Sequence, residues 1–412
     1  MRRALDMPAL PLPEPLSGAE FGSFAHLTIT ERMPRIARET LAENEFTPEA
    51  ARNLEQLLEE LPSAPIRYLR DADAPDARDW RGYVSPHLGK GWLEVPWFFA
   101  ETYFYRRILE ATGYYLPGPH QGFDPFLDQK VRALEAAEPS VNHIAAQLEN
   151  TLDSGEAGEE AIRPALIELA VLDVWGNQAD LSMWSADEDH PNHQDYQAKR
   201  THLLVDDSES FADHLLRLSR KPIRVDFILD NYGPELAHDL ALTDYLLREG
   251  HVERVLLHAK PHPYLVSDAT IADVYRMLEW LATRTEGSAR ALGSRLRGHL
   301  ESARLQLMED FFWTSPLSFW EMPDRVRALL AASDLVISKG DVNYRRLAGD
   351  LKWPSTTPFA DVAGYFPAPL LALRVLKAEL ALGLSADQVS RLDREDPEWR
   401  VNGRWGVIQF LA

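Results

Sequence analysis

The sequence predicts an α/β protein: a three-layer α/β/α core with a mainly parallel sheet, preceded by a helical N-terminal domain. Two patterns predict this. Apolar residues in the first half of the 412-residue chain lie three and four positions apart, the spacing of helices. After about residue 220, short apolar segments alternate with helical ones, which is typical of a parallel sheet with helices on both faces. We expect a disordered lead at 1–20, a helical domain at 21–218 and an α/β/α domain at 219–412.

Helices account for most of the first half. The segments 36–41 and 51–61 are amphipathic, and 96–111 is apolar almost all round, which predicts a buried helix. Asp124 followed by Pro125 predicts an N-cap and a first turn. An acidic, glycine-containing loop at 151–160 precedes a strongly apolar helix at 165–175.

Five strands are predicted in the second half, at 224–230, 254–260, 334–339, 369–377 and 405–410. An amphipathic helix at 234–247 follows the first strand, and a long helical region follows the second. The carboxyl ends of parallel strands lie at one edge of a sheet, where α/β proteins form their ligand sites. We expect the helical first half to pack on or beside that edge.

Composition excludes several classes of function. There are 43 Lys and Arg against 64 Asp and Glu, and the net charge of −21 argues against nucleic-acid or anionic-membrane partners. A hydrophobic content of 45% excludes wholesale disorder. Because the chain has no cysteine, thiolate nucleophiles, disulfides and Cys-ligated metals are impossible. Any metal must be held by oxygen or imidazole ligands.

Two further absences concern location. No apolar run approaches the roughly 20 residues of a membrane-spanning helix. The opening MRRALDMPALPLPEPLSG has prolines and acids where a secretory signal has an apolar stretch. We therefore expect a cytoplasmic protein.

Polar residues gather where four predicted strands end. These clusters are Asp230–Gly233, Lys260–Pro263 with Ser267 and Asp268 just after, Lys339–Arg346, and Arg374–Lys377. On the predicted sheet they share one cleft, with three carboxylates and an Asn among several cations. Aspartates plus an amide oxygen suit Mg²⁺ or Mn²⁺, and nearby Lys and Arg suit a phosphate.

This mixture favours metal-assisted phosphate-ester hydrolysis, since a divalent ion polarises a phosphoryl oxygen and acidifies water. The chain has no Gly-x-Ser-x-Gly motif for acyl transfer and no Gly-x-x-x-x-Gly-Lys-Ser/Thr phosphate loop.

Each cluster also has a structural interpretation. Asp230-Asn231 and Lys339-Gly-Asp341 are compatible with turns, and Asp268 is compatible with a helix N-cap. Arg374 and Lys377 taken singly resemble solvated charges. We expect His262, between two prolines, to be structural. His190 and His193 form a His/Asp cluster that an acidic loop also explains.

At these loops the sequence resembles the damage-control phosphatase family, formerly domain of unknown function 89, and its acidic residue methyltransferase-like subfamily. The matching segments are 227–236, 263–270, 339–350, Trp353, 357–359 and 373–379, and upstream 23–29, 100–108 and 175–182. The resemblance runs from about Phe21 to the C-terminus.

The resemblance implies a phosphatase that uses Mn²⁺, Co²⁺ or Ni²⁺, with Mg²⁺ also suitable, and that acts in a housecleaning role. Its substrates would be phosphorylated metabolites such as fructose 1-phosphate. It implies catalytic metal ligands at Asp230, Asn231 and Asp268. It implies substrate contacts at Glu101, Asn177, Asp341, Val342, Asn343, Tyr344, Arg345, Arg374 and Lys377. The subfamily's Arg-Thr-x-Lys signature here has Val375 in place of threonine.

Two alternatives stay open. The subfamily name records methyl transfer from S-adenosylmethionine to protein carboxylates. Cofactor clefts of that kind usually have a glycine-rich turn after the first strand, whereas this strand ends in Asp230-Asn-Tyr-Gly-Pro. The second alternative is a non-catalytic protein that binds sugar phosphates.

Overall fold

Seven strands form one sheet in the computed structural model, which describes residues 7–153, 159–176, 198–218, 222–248 and 252–412. The strands are β1 (Leu203–Asp206), β2 (Ile223–Ile228), β3 (Val252–Ala259), β4 (Leu305–Glu309), β5 (Leu335–Lys339), β6 (Leu370–Val375) and β7 (Gly406–Leu411). Their order is β1-β7-β6-β5-β2-β3-β4. The five strands from β6 to β4 run parallel, and β7 is antiparallel to β6. The predicted fold class, with a mainly parallel sheet, is confirmed.

The five predicted strands correspond to β2, β3, β5, β6 and β7. Strand β4 lies in the region predicted to be helical, because its five residues, Leu-Gln-Leu-Met-Glu, are too few for their period to separate a strand from a helix. Strand β1 was also not predicted. It lies within the segment assigned to the helical domain, and it pairs with β7. The domain boundaries themselves stay predictions.

Helices surround the sheet and form the N-terminal part. They are α1 (Phe24–Leu27), α2 (Met33–Glu43), α3 (Pro48–Glu60), α4 (Ala77–Val84), α5 (Trp97–Thr112), α6 (Leu127–Ala136), α7 (Glu138–Asp153), α8 (Glu159–Val174), α9 (Ser208–Leu218), α10 (Pro234–Arg248), α11 (Ile271–Ala282), α12 (Gly287–Glu301), α13 (Asp324–Leu330), α14 (Gly340–Leu347), α15 (Phe359–Ala363) and α16 (Ala386–Glu395). A π-helical turn, Thr28–Arg32, joins α1 to α2. Short 3₁₀ turns lie at Ser85–His87, Trp92–Glu94, Phe311–Thr314 and Phe319–Glu321.

Apolar residues on both faces of the sheet are covered. Val225 and Phe227 of β2 pack with α7, α8 and α10, whereas Ile228 faces a second core formed with residues such as Trp313 and Trp320. A third core belongs to α2–α5 and reaches Tyr264 and Ala378 beyond the strand ends. The predicted buried helix is α5, in which every residue except Glu110 is buried.

Two features of the N-terminal part differ from the prediction. Helix α6 begins at Leu127, so Asp124 is not its N-cap; the Asp124 carboxylate accepts from the backbone of Phe126 and pairs with Lys130. Within the predicted disordered lead, the Leu16 N–H donates to the carbonyl of Asp350. That contact orders part of the lead against the C-terminal half.

Strands β2 and β5 are adjacent, but the chain leaves β2 toward β3 on one side and leaves β5 toward β6 on the other. Such a switch point opens a crevice outside the carboxyl ends of the strands. Helix α5 lies across it, where Thr102 Oγ1 is 2.9 Å from the Tyr264 hydroxyl. Within the described ranges, no helix has both the length and the apolar character needed to cross a membrane.

Candidate functional site

A cleft of about 140 Å³ opens at the switch point between β2 and β5. Its lining comes from the loops after four strands and from the N-terminal helices. The lining residues are Phe24, Arg32, Trp97, Glu101, Val174, Asp230, Asn231, Glu235, Leu265, Ser267, Asp268, Gly340, Asp341, Val342, Arg345, Leu373, Val375 and Lys377. The predicted meeting of polar residues from separate strand ends is therefore observed.

Backbone hydrogen bonds join the two loops that carry Asp230 and Asp268. Asn231 and Asp268 form an antiparallel bridge. The Ala269 N–H donates to the Asp230 carbonyl at 2.7 Å, and the Tyr232 N–H donates to the Ser267 carbonyl at 2.7 Å. The two aspartates therefore come from loops held in a fixed register.

The loop before Asp268 has an unusual backbone. Leu265 and Val266 have φ of 47° and 68°, values that a β-branched residue rarely adopts. The Ser267 N–H donates to the Leu265 carbonyl at 2.9 Å, which closes a tight three-residue turn. The N-cap of α11 is Thr270, whose side chain accepts from the Asp273 N–H. Asp268 is thus not the helix cap, and its carboxylate is available to the cleft.

Both aspartates are buried, and burial is the main reason that the pKa of each is raised. Burial first, and then the charges of Asp268 and Glu235, raise the pKa of Asp230 well above its ordinary value. Burial also raises the pKa of Asp268 to about 6, even though Lys260 Nζ lies 3.1 Å from its Oδ2. Within the described part of the chain, Asp230 Oδ1 has no hydrogen-bond donor, whereas Asp268 Oδ2 has the ammonium group of Lys260 beside it. Burying an unpaired carboxylate oxygen such as Asp230 Oδ1 costs free energy unless a cation binds it.

Asn231 completes this cluster. Its amide nitrogen donates to Asp230 Oδ2 and Glu235 Oε2, both at 2.8 Å, and its Oδ1 accepts from the Ser267 hydroxyl at 2.5 Å. Glu235 was not predicted. It lies in the first turn of α10, four residues after Asn231, where a carboxylate ordinarily complements the helix dipole.

Two arginines predicted as substrate contacts, Arg345 and Arg374, have anionic partners. The Arg345 guanidinium is 2.7 Å from Glu101 and 2.8 Å from Asp350, and it stacks 3.6 Å above the Trp97 ring. Arg374 is 2.7 Å from Asp341, so it is held by that carboxylate. These pairs involve two of the three cationic residues predicted to contact the substrate, and their contact with substrate stays a prediction.

Lys377 is different. Its backbone N–H donates to Asp341 Oδ1 at 3.1 Å, but its Nζ makes no hydrogen bond or ion pair with a described residue. The side chain is half-buried, and its charge acts on Asp230.

Three residues predicted as substrate contacts do not line the cleft. The Asn343 amide donates to the carbonyls of Leu229 and Lys339, and the Tyr344 hydroxyl donates to Gln409. Arg374 lies buried beside Tyr344. All three side chains are therefore part of the packed structure behind the cleft lining. Their direct contact with substrate stays a prediction.

The remaining predicted residues are one asparagine, Asn177, and three histidines, His262, His190 and His193. His262 is buried outside the cleft and makes a 2.8 Å hydrogen bond with Thr314, consistent with a structural residue. Asn177 and the histidines His190 and His193 lie outside the described residues.

The donor set fits a hard divalent ion. Two buried aspartates and one asparagine line the cleft, and Asp230 Oδ1 has no described donor; carboxylate and amide oxygens suit Mg²⁺ and Mn²⁺. Within the described ranges, no group of three or more His, Asp or Glu side chains is placed to hold a metal by itself. The third protein ligand would have to be Asn231, with its amide turned from the orientation above.

Comparison with known proteins identifies the family. A profile of the Damage-control phosphatase ARMT1-like domain matches residues 28–392. The chain is 32% identical to Damage-control phosphatase ARMT1 of Danio rerio, over 97% of each chain. It is 32% identical to that of Rattus norvegicus, over 96% of this chain and 98% of the relative. A DUF89 family crystal structure from Pyrococcus horikoshii, 14% identical, covers 93% of this chain and 97% of its own, with a TM-score of 0.48. The chain belongs to the damage-control phosphatase ARMT1-like family.

Proposed function

We propose that this protein is a metal-dependent phosphatase that hydrolyses sugar phosphate monoesters such as fructose 1-phosphate. Membership of a damage-control phosphatase family supports a housecleaning phosphatase role. The observation that supports the metal dependence is the pair of buried, mutually repelling aspartates, Asp230 and Asp268, in which Asp230 Oδ1 has no donor among the described residues. A bound divalent ion would offset their mutual repulsion.

Asp230, Asn231 and Asp268 would hold Mn²⁺, Co²⁺ or Ni²⁺. When bound, such an ion supplies polarisation of the phosphoryl oxygen and a more acidic water. Glu235 accepts from the Asn231 amide in the present orientation, so turning that amide toward a metal would exchange this hydrogen bond for one to the ion. Lys260, fixed by a hydrogen bond to the Leu229 carbonyl, offsets part of the charge on Asp268.

The protein's own side chains would position the substrate. Lys377 is the half-buried cation beside Asp230 with no described partner, so its ammonium group is suited to the phosphate of the ester. Phe24, Trp97 and Leu265 offer apolar surface to the sugar carbons.

Phosphate release from a panel of sugar phosphates tests this proposal. Chelator-treated protein would be assayed alone and with Mn²⁺, Co²⁺, Ni²⁺ or Mg²⁺, beside Asp230→Ala and Asp268→Ala. We expect metal-restored turnover in the wild type and none in either variant, with circular dichroism showing that both variants fold. Metal-independent release would contradict the proposal. Carboxyl labelling from S-adenosylmethionine without phosphate release would favour the methyltransferase alternative.

A further inference from the structure

Arg32 differs from the two paired arginines near the cleft. Arg345, which lines the cleft, and Arg374, which is buried and does not line it, are each within 2.8 Å of a carboxylate. Arg32 lines the same cleft, yet its guanidinium forms no ion pair or hydrogen bond with any residue the structure describes. Besides Lys377, it is a cleft-lining cation whose charge the described carboxylates leave uncompensated.

Arg32 and Lys377 lie at different depths. Asp230 and Asp268 are 3% and 1% exposed, Lys377 is half-buried, and Arg32 is exposed at the mouth. Arg32 ends the π-helical turn Thr28–Arg32, a geometry often found at functional sites. The next residue, Met33, is buried in the N-terminal core, so the backbone that carries Arg32 is anchored.

The walls that carry the two cations are tied together. The Phe24 N–H donates to Glu379 Oε1 at 3.0 Å, which joins the start of α1 to the loop just after Lys377. Phe24 itself lines the cleft between these walls. The contact joins the segment that leads to Arg32 to the segment that carries Lys377, so both cations belong to one cleft.

We propose that Arg32 is a specificity-determining residue that binds a second anionic group, a phosphate or a carboxylate, at the end of the sugar phosphate remote from the scissile ester. This inference rests on the proposed function. The ester phosphate belongs at the deep end, beside Asp230, Asp268 and Lys377. The guanidinium of Arg32, at the mouth of the cleft, can donate two parallel hydrogen bonds to a phosphate or a carboxylate. A single sugar hydroxyl cannot accept both in this geometry.

The test compares pairs of substrates of which one member carries a second anionic group and the other does not, and each variant is compared with the wild type on the same pair, so that differences in ring form cancel. Fructose 1-phosphate is paired with fructose 1,6-bisphosphate, and glucose 6-phosphate with gluconate 6-phosphate, so that remote phosphate and remote carboxylate are examined separately. The proteins are the wild type, Arg32→Ala, Arg32→Lys and the control Arg35→Ala. Arg35 is an exposed arginine of the next helix, beside Glu39, and it does not line the cleft.

We expect the wild type to show a higher kcat/KM for the substrate with two anionic groups in at least one pair. Arg32→Ala should lower that kcat/KM about tenfold or more, mainly through KM, and should lower the ratio within the pair by a similar factor. Arg32→Lys should restore part of the ratio, and Arg35→Ala should leave it at the wild-type value.

An equal loss on every substrate would overturn the inference, since Arg32 would then contact a group common to all of them. Ratios that do not change in Arg32→Ala would also overturn it. If no sugar phosphate is hydrolysed at all, the proposed function fails. Calorimetric binding of gluconate 6-phosphate against glucose 6-phosphate would then decide the role of Arg32 separately.

Discussion

The backbone of Gly340 lies directly against the carboxylate of Asp230. A Cβ at residue 340 would come within 1.9 Å of Asp230 Oδ2, and Gly340 has a φ of +80°. The turn after β5 therefore leaves space for the aspartate that ends β2. Any side chain at residue 340 would displace a proposed metal ligand.

Gly340→Ala tests this contact. A positive φ alone costs alanine about 1–2 kcal/mol, and Gly89 provides the matched control, because it has the same φ of +80° and nothing within 4 Å of its Cβ position. We expect Gly89→Ala to lose stability but to keep activity. Gly340→Ala should lose Mn²⁺ binding and turnover as well, as measured by calorimetry and phosphate release. Equal behaviour of the two variants would show that the contact with Asp230 is unimportant.

The pKa shifts predict how metal and pH act together on stability. Burial raises the pKa of Asp268 to about 6, from 3.8, and raises that of Asp230 too. Between these pH values the folded protein binds more protons than the unfolded chain, so metal-free stability falls as pH rises through this window. At pH values above this window, a divalent ion offsets the repulsion between the ionised carboxylates of Asp230 and Asp268. At pH values below it, protons compete with the ion for these carboxylates.

Mn²⁺ should therefore raise the Tm more at pH 7.5 than at pH 5, with a difference in stabilisation on the order of 2 kcal/mol. Thermal unfolding at both pH values, with and without Mn²⁺, measures this. Asp268→Asn is the control and should lose most of the difference. A larger metal-induced shift at pH 5 would contradict the assignment of these carboxylates as ligands.

Lys377→Ala should lower activity, whereas Arg345→Ala should lower stability. Lys377→Ala removes a cation with no described partner, so kcat/KM should fall about tenfold or more, as expected for a lost charge-assisted hydrogen bond. Metal affinity should not weaken, because the charge of Lys377 opposes a cation beside Asp230. Calorimetry that shows metal affinity falling as far as in Asp268→Ala would contradict this role.

Arg345→Ala instead leaves Glu101 and Asp350 buried without their shared cation. We expect a loss of about 3–5 kcal/mol in the free energy of unfolding, measured by urea denaturation. Unchanged stability together with a specific loss of substrate binding would restore the original interpretation of Arg345 as a phosphate ligand.

The sequence could predict the loops of this site because each follows an apolar strand. Asp230, Asp268 and Asp341 come after strand-like runs, and parallel strands end at one edge of the sheet. Contacts between residues far apart in the chain cannot be predicted in this way. Arg345 looked like a free cation because nothing local indicates Glu101, 244 residues away.

Residues on helices were harder still to assign. Glu235 has the pattern of an ordinary first-turn acid, and only the tertiary structure directs it to Asn231. No local sequence pattern distinguishes Arg32 from the other arginines of the chain. Strand β4 was missed because its five residues follow a helix without a clear change of period.

Val375 stands where the subfamily signature has threonine, and it lies on the cleft wall while being 5% exposed. Val375→Thr keeps the side-chain shape but adds a donor and an acceptor. We expect it to change the ratio of kcat/KM between two sugar phosphates, because hydroxyl recognition discriminates more sharply than an apolar wall. Ratios within error of the wild type would mean that this side chain serves only the core.

Metal-dependent turnover of a single protein stock tests the central claim most directly. Protein freed of metal by chelation would be titrated with Mn²⁺, with bound metal and phosphate release from fructose 1-phosphate measured on the same samples. We expect negligible release without metal and activity that rises with occupancy and saturates when Asp230, Asn231 and Asp268 are filled. Full activity in protein shown by elemental analysis to contain no metal would contradict the account.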